Sequence, residues 1–121
     1  MYSVKVKDHI MIAHSLPDPY FGPASKMHGA TYVVIATFMS EKLNDKNVVI
    51  DIGEALRILK DVLGTLAYKN LDELEQFKGI LTTTEFLCWH IHQLIKPMLE
   101  HDIRLKIELN ESHIASASYE E

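Results

Sequence analysis

The chain has a single cysteine among its 121 residues, five glycines and four prolines. One cysteine cannot form an internal disulfide, so a secreted, disulfide-framed domain is excluded, and so is a cysteine-rich zinc module. Basic runs are lacking as well. Lys plus Arg number 12 against 17 Asp plus Glu, giving a net charge of −5, the wrong balance for a general nucleic-acid binder. No apolar run approaches the roughly 18 residues of a membrane span. The first residues, Met1-Tyr2-Ser3-Val4-Lys5, carry no signal-peptide core, so the expected location is cytoplasmic. There is no glycine-rich phosphate loop and no Gly-x-Ser-x-Gly elbow.

What is present is an ordinary globular composition, 47% apolar and 24% charged. Residues 1–121 are expected to form one domain. Seven histidines invite a metal reading that only their positions can test.

The Val- and Ile-rich stretch from about 2 to 15 reads as a strand. Pro17, Pro19, Gly22 and Pro23 then mark an irregular loop of a length that is often functional. Residues 28–40 read as a second strand whose two faces are both apolar, so both need cover. Val48–Ile50 suggests a short extended piece, and Asp51 can cap a helix reaching about Ala67. Its stripe is Ile52, Leu56, Leu59, Val62, Leu63 and Leu66. Thr82 and Glu85 stand at capping-box spacing ahead of a second helix, which Pro97 should end. That helix has the stripe Phe86 or Leu87, Ile91, Leu94, Ile95, Met98. Ile103, Leu105, Ile107 and Leu109 alternate cleanly as a third strand, and about 114–119 is a fourth. The order β-β-α-α-β-β predicts an α+β fold: a four-stranded antiparallel sheet with both helices on one face. The other face is left bare, which predicts a homo-oligomer.

Residues able to carry chemistry are few. His28 and Ala30 share a strand face, and His14 can approach His28 across the sheet. Two imidazoles are half of a tetrahedral zinc site, or simply two hydrogen-bonded histidines. Glu111 continues the parity of the apolar face of the third strand; it is either a carboxylate waiting for a ligand with two N–H donors or a solvated residue past the strand end. Asp72 and Glu73 are an acid/base pair or a solvated acidic patch. Cys88 reads as a small hydrophobe inside a helix. His90 and His92, two apart on a helix, do not share a face.

Six segments in this order resemble a known family: Ile12-Ala13-His14, His28-Gly29-Ala30-Thr31-Tyr32, Val48-Val49-Ile50-Asp51-Ile52, Asn70-Leu71-Asp72-Glu73, Thr82-Thr83-Thr84-Glu85, and Glu108-Leu109-Asn110-Glu111 followed by Tyr119. Together they resemble the 6-pyruvoyl-tetrahydropterin synthase and 6-carboxytetrahydropterin synthase family nearly end to end. The resemblance implies the tunnelling fold, whose trimers close a barrel and stack as hexamers. It implies a zinc ion on three histidines, a cysteine helped by an Asp-His pair, and a glutamate that anchors the pterin ring. Carried over by position, His14 and His28 match two zinc ligands, and Ala30 stands at the third. Glu111 matches the pterin anchor, and Thr83 and Thr84 fall in the substrate-binding segment. Asp72 matches the catalytic aspartate, but Glu73 replaces the histidine, and the 15–27 loop, near Ala24, has no cysteine.

The sequence therefore leaves three readings. One is a lyase or aldolase acting on dihydroneopterin triphosphate or a related pterin through a zinc-poor site, with Asp72 or Glu73 as base and Tyr119 or His113 as acid. The second is a non-catalytic paralog that binds a pterin or a partner chain. The third is a scaffold domain, for which Glu111 faces solvent and no cleft forms around it.

Overall fold

A computed structural model describes all 121 residues. Four strands form one antiparallel sheet in the order β1-β2-β3-β4: β1 (Tyr2–His14), β2 (His28–Ser40), β3 (Arg104–Asn110) and β4 (Ser116–Glu120). Two α-helices, α1 (Ile52–Gly64) and α2 (Thr84–Ile95), lie between β2 and β3 in the chain. The register places His14 opposite His28 and Val34 opposite Leu109. Because side chains alternate along a strand, this register sets Val6, Ile10 and Ile12 beside Tyr32, Val34, Ala36 and Phe38, and these beside Leu105, Ile107 and Leu109. All are buried. The helices close this face with Ala55, Ile58, Leu59, Val62 and Leu63 from α1 and Leu87, Cys88, Ile91 and Ile95 from α2.

The expected α+β architecture is what the chain adopts, with several local differences. Val48–Ile50 joins no ladder. Helix α1 stops at Gly64, three residues early. Its first expected stripe residues, Ile52 and Leu56, are exposed, while Ala55 and Ile58 are buried instead. The rest of the expected stripe, Leu59, Val62, Leu63 and Leu66, is buried, so the difference is confined to the start of the helix. In α2, Leu94 and Met98 are likewise exposed, and the buried places are taken by Cys88 and His92. His92 can be buried because its Nε2 donates to the Leu105 carbonyl at 3.1 Å and the Glu121 carbonyl at 3.3 Å. Pro97 ends the helix as expected, with a 3-10 turn over Lys96–Met98.

The second sheet face carries no helix. On it lie Val33, which is exposed, Ile35 and Met39, which are half-buried, and Lys5, Lys7 and His9. The backbone of residues 68–70 runs along part of the β1 edge, with Tyr68 N–H donating to Met11 O at 2.7 Å and Ala13 N–H to Lys69 O at 3.0 Å. The rest of β1 and the outer edge of β4 have no strand partner.

His90, half-buried on α2, meets the Phe77 ring edge-on at 4.8 Å and stacks over Phe86 at 6.1 Å. Burial among these rings holds its pKa below the ordinary 6.5. The unfolded chain then binds the proton more readily than the folded one. Stability contributed by the neutral ring is present above about pH 6.5 and is lost as pH falls below it. His90→Phe should flatten that acid limb in a series of thermal melts between pH 7.5 and 5; an unchanged limb would assign it to other groups.

Candidate functional site

His14 ends β1 and His28 begins β2, so the first strand pair brings two imidazoles together at one end of the sheet. Their centroids lie 4.7 Å apart, edge to face. His28 Nδ1 lies 2.8 Å from the Lys26 carbonyl. A carbonyl only accepts, so Nδ1 carries the proton and Nε2 of the neutral ring is left as a base. His14 is buried, and its Nδ1 lies 2.9 Å from the Thr82 hydroxyl. Its Nε2 has no protein partner, yet no fully buried side-chain polar atom goes unpaired, so this nitrogen is open to the space beside it. Burial is the main cause that lowers the His14 pKa, and the neighbouring His28 adds to it; Asp72, Thr82 and Glu111 oppose it.

That space is a cavity of about 250 Å³ lined by ten residues, including His14, His28, Tyr32, Thr83, Thr84, Glu85 and Glu111. Leu16, Phe21 and Ala24, from the proline-marked loop, add an apolar wall. A second cavity of about 340 Å³, lined by Ser116, Ala117 and Ser118 of β4 among others, shares Thr84, Glu85 and Glu111 with the first. A groove therefore runs from the imidazoles past two carboxylates to the outer strand.

Local rules place each wall. Thr83, not Thr82, caps α2, its hydroxyl accepting from Phe86 N–H at 3.1 Å. Thr82 is buried and its hydroxyl turns to His14 instead, which explains the one-residue shift from the expected start. Glu85 becomes the second residue of α2 and points to the cavity. Strand β3 ends at Asn110, so Glu111 is not held on the apolar face by strand alternation. It is exposed, on a turn closed by its own N–H to Ala115 O at 3.1 Å, and it borders both cavities.

Asp72 is elsewhere engaged. It accepts from Ser15 N–H at 3.1 and 3.2 Å and from the Ser15 hydroxyl at 2.5 Å, and it lines a different cavity of about 400 Å³ with Phe77 and Lys78. Glu73 is exposed and lines neither this cavity nor the His14 cavity. Tyr119 donates to Glu121 at 2.5 Å, and His113 is exposed in the 111–115 turn. Cys88 is buried, donates to Ala117 O at 3.3 Å and has its thiol pushed up to about 11 by burial, as a packing residue would. Tyr32 is a site residue that the sequence does not single out. It sits on the parity of the buried β2 face and reads as core; only the cavity shows that it also borders the site.

The donor set decides the fit of zinc. A catalytic zinc takes three protein ligands and keeps a fourth position open. No third His, Cys, Asp or Glu forms a ligand group with His14 and His28, and Ala30 offers a methyl group on the same face. Two imidazoles with anchored Nδ1 atoms do not make that centre.

The 6-pyruvoyl tetrahydropterin synthase family model matches residues 3–121. Among solved structures, a 6-pyruvoyl tetrahydropterin synthase of Caenorhabditis elegans superposes with a TM-score of 0.88 at 20% identity, covering 99% of this chain and 95% of that one. The Plasmodium falciparum enzyme gives 0.76 at 16% identity, covering 98% of each. A Plasmodium vivax 6-pyruvoyltetrahydropterin synthase variant, in which a catalytic glutamate is replaced by cysteine, gives 0.74 at 14% identity, covering 99% and 97%. No curated protein sequence matches. The family match spans nearly the whole chain, and this protein belongs to the 6-pyruvoyl tetrahydropterin synthase family.

Proposed function

We propose that the protein is a pterin-acting lyase that binds a dihydropterin in the His14–Glu111 cavity and works on its side chain through imidazole bases. The observation that carries this reading is the assembly of His14, His28, Tyr32, Glu85 and Glu111, from four separate segments, around one cavity. A pterin ring offers an amino group and a ring N–H side by side, which a carboxylate accepts bidentately, and Glu111 is the anchor. The apolar wall of Leu16 and Phe21 supports the flat ring. The side chain then lies toward the histidines. His28 Nε2 takes the proton of a side-chain hydroxyl, and the adjacent carbon–carbon bond breaks to release an aldehyde. The bond's electron pair enters the conjugated ring, and a proton returns to the carbon that was left. No oxidant or reductant is required. Asp72 and Glu73, the bases implied by resemblance, have no direct part in this scheme; Asp72 holds the chain at Ser15, next to His14.

The test is incubation of the purified protein with 7,8-dihydroneopterin and its triphosphate, followed by mass analysis of the products. Cleavage to a shortened pterin and an aldehyde is expected. It should persist in the presence of a metal chelator, and His28→Gln should slow it at least 100-fold, the lower end of general-base contributions. Unchanged substrates would leave the second reading, a non-catalytic pterin-binding paralog, which the capture of Asp72 by Ser15 favours.

The assembly follows from the same sheet. Pairing β4 of one copy with β1 of the next would satisfy both open edges and close a barrel of three chains, which can stack as a hexamer. Light scattering should give three or six times 13.8 kDa; a monomer mass would contradict it.

A further inference from the structure

We infer that the site takes a pterin whose side chain is an uncharged polyol and discriminates against the triphosphate ester of the same pterin, because Glu85 and Glu111 face a cavity that no lysine or arginine lines. The inference rests on the proposed pterin site and names the substrate class within it.

Glu85 and Glu111 border both the His14 cavity and the adjoining cavity along β4, and neither cavity has a lysine or arginine in its wall. Hydroxyl-bearing side chains stand there instead, Thr83 and Thr84 in the first cavity and Ser116 and Ser118 in the second. Lys26, which precedes His28 by two residues, is exposed and lines neither. Lys78 lines the separate cavity beside Ser15, together with Asp72, and its ammonium lies 3.3 Å from Glu75. One feature of the His14 cavity does favour an anion, since α2 begins in its wall. Thr83 already caps the Phe86 N–H, however, and Glu85 in the first turn supplies the negative charge that a helix N-terminus attracts.

Charge then decides between the two side chains. A triphosphate ester carries about four negative charges at neutral to mildly alkaline pH when magnesium is absent. Proteins hold such groups with arginine, lysine or an unoccupied helix N-terminus. Here the ester would enter beside two carboxylates, in a recess where charges are screened less than in open water. Each phosphate would lose hydration without gaining a cation. A polyol loses little, because its hydroxyls both donate and accept and meet the same capacity in Thr83 and Thr84. The penalty on the ester is electrostatic, so salt must weaken it. Raising the ionic strength tenfold, from about 0.05 M to about 0.5 M, shortens the Debye length from roughly 14 Å to roughly 4 Å.

The test is calorimetric titration of the wild-type protein with neopterin and with neopterin triphosphate, in magnesium-free buffer at about pH 8, where an ordinary imidazole is neutral. Both ligands keep the ring edge proposed to meet Glu111 and differ only in the phosphates. In about 0.05 M salt neopterin should bind about tenfold more tightly than the triphosphate, and in about 0.5 M salt the two should agree within about threefold. Glu85→Gln should narrow the low-salt gap about threefold, and Ala24→Lys, which brings an ammonium to the cavity wall, should reverse the preference. Circular dichroism melts show which variants are folded, and either one alone tests the assigned cause. A triphosphate that binds as tightly as neopterin in low salt, or a gap that neither salt nor the folded variants change, overturns the inference while leaving the pterin site standing. Absence of binding of either ligand to wild type overturns the site and the inference together.

Discussion

Glu111→Gln is expected to lower the affinity for a dihydropterin by about 100-fold and to leave the fold intact. The carboxylate is expected to accept two N–H bonds from the ring, each assisted by its charge, and bonds to a charged group contribute about 1.5–3 kcal/mol apiece. The amide keeps one acceptor and sets an NH₂ group against a ring donor, so the loss is of the order of 3 kcal/mol, or about 100-fold. Folding should not suffer, because Glu111 is exposed on a turn and makes no side-chain bond within the protein. A surface change of this type alters stability by about 0.5 kcal/mol or less. Calorimetric titration and a thermal melt of the same sample check both halves. Affinity within threefold of wild type would remove Glu111 as the anchor.

Phe38→Ala has the largest expected effect on stability. Phe38 is fully buried on β2, paired with Val4 on β1 and Leu105 on β3, at the centre of the core between sheet and helices. Removing a buried phenyl ring costs about 3–5 kcal/mol, as lost transfer energy plus the cavity left behind. For a domain of this size that is a fall in Tm of more than about 10 °C. Leu56→Ala is the matched control: the sequence places Leu56 on the helix stripe, the structure exposes it, and the expected change is below about 1 kcal/mol. Urea denaturation of both variants checks the pair. Equal destabilisation would mean that the exposed helix face is covered, as in an assembly.

Much of the fold was legible because its periodicities are strong. The alternation of Ile103, Leu105, Ile107 and Leu109 and the cap at Asp51 read directly onto β3 and α1. Ile52, Leu56, Leu94 and Met98 did not, because a helical stripe drawn through the largest side chains ignores small residues such as Ala55 and Cys88, which bury easily. The site was legible only in part. His14 and His28 follow from pairing β1 with β2. For Glu111 the alternation left two places, on the apolar face or past the strand end; the strand ends one residue before it, and a turn sets it, exposed, at the border of the cavity. Asp72 was legible as a carboxylate near the site but not as one held by Ser15, since a contact between residues 57 apart leaves no trace in either local segment. Tyr32 was hidden among core residues, and the contact of Thr82 with His14, 68 residues away, leaves no local trace.

On the proposed reading, Glu111 keeps recognition of the ring while Ala30 stands at the third ligand position, and proton transfer falls to His14 and His28. The proposed reading requires that the His14–Glu111 cavity hold a dihydropterin. Titrating the wild-type protein with 6-methyl-7,8-dihydropterin in a calorimeter tests this most directly. Saturable heat with one ring bound per chain is the expected result. A flat titration at millimolar ligand would contradict it.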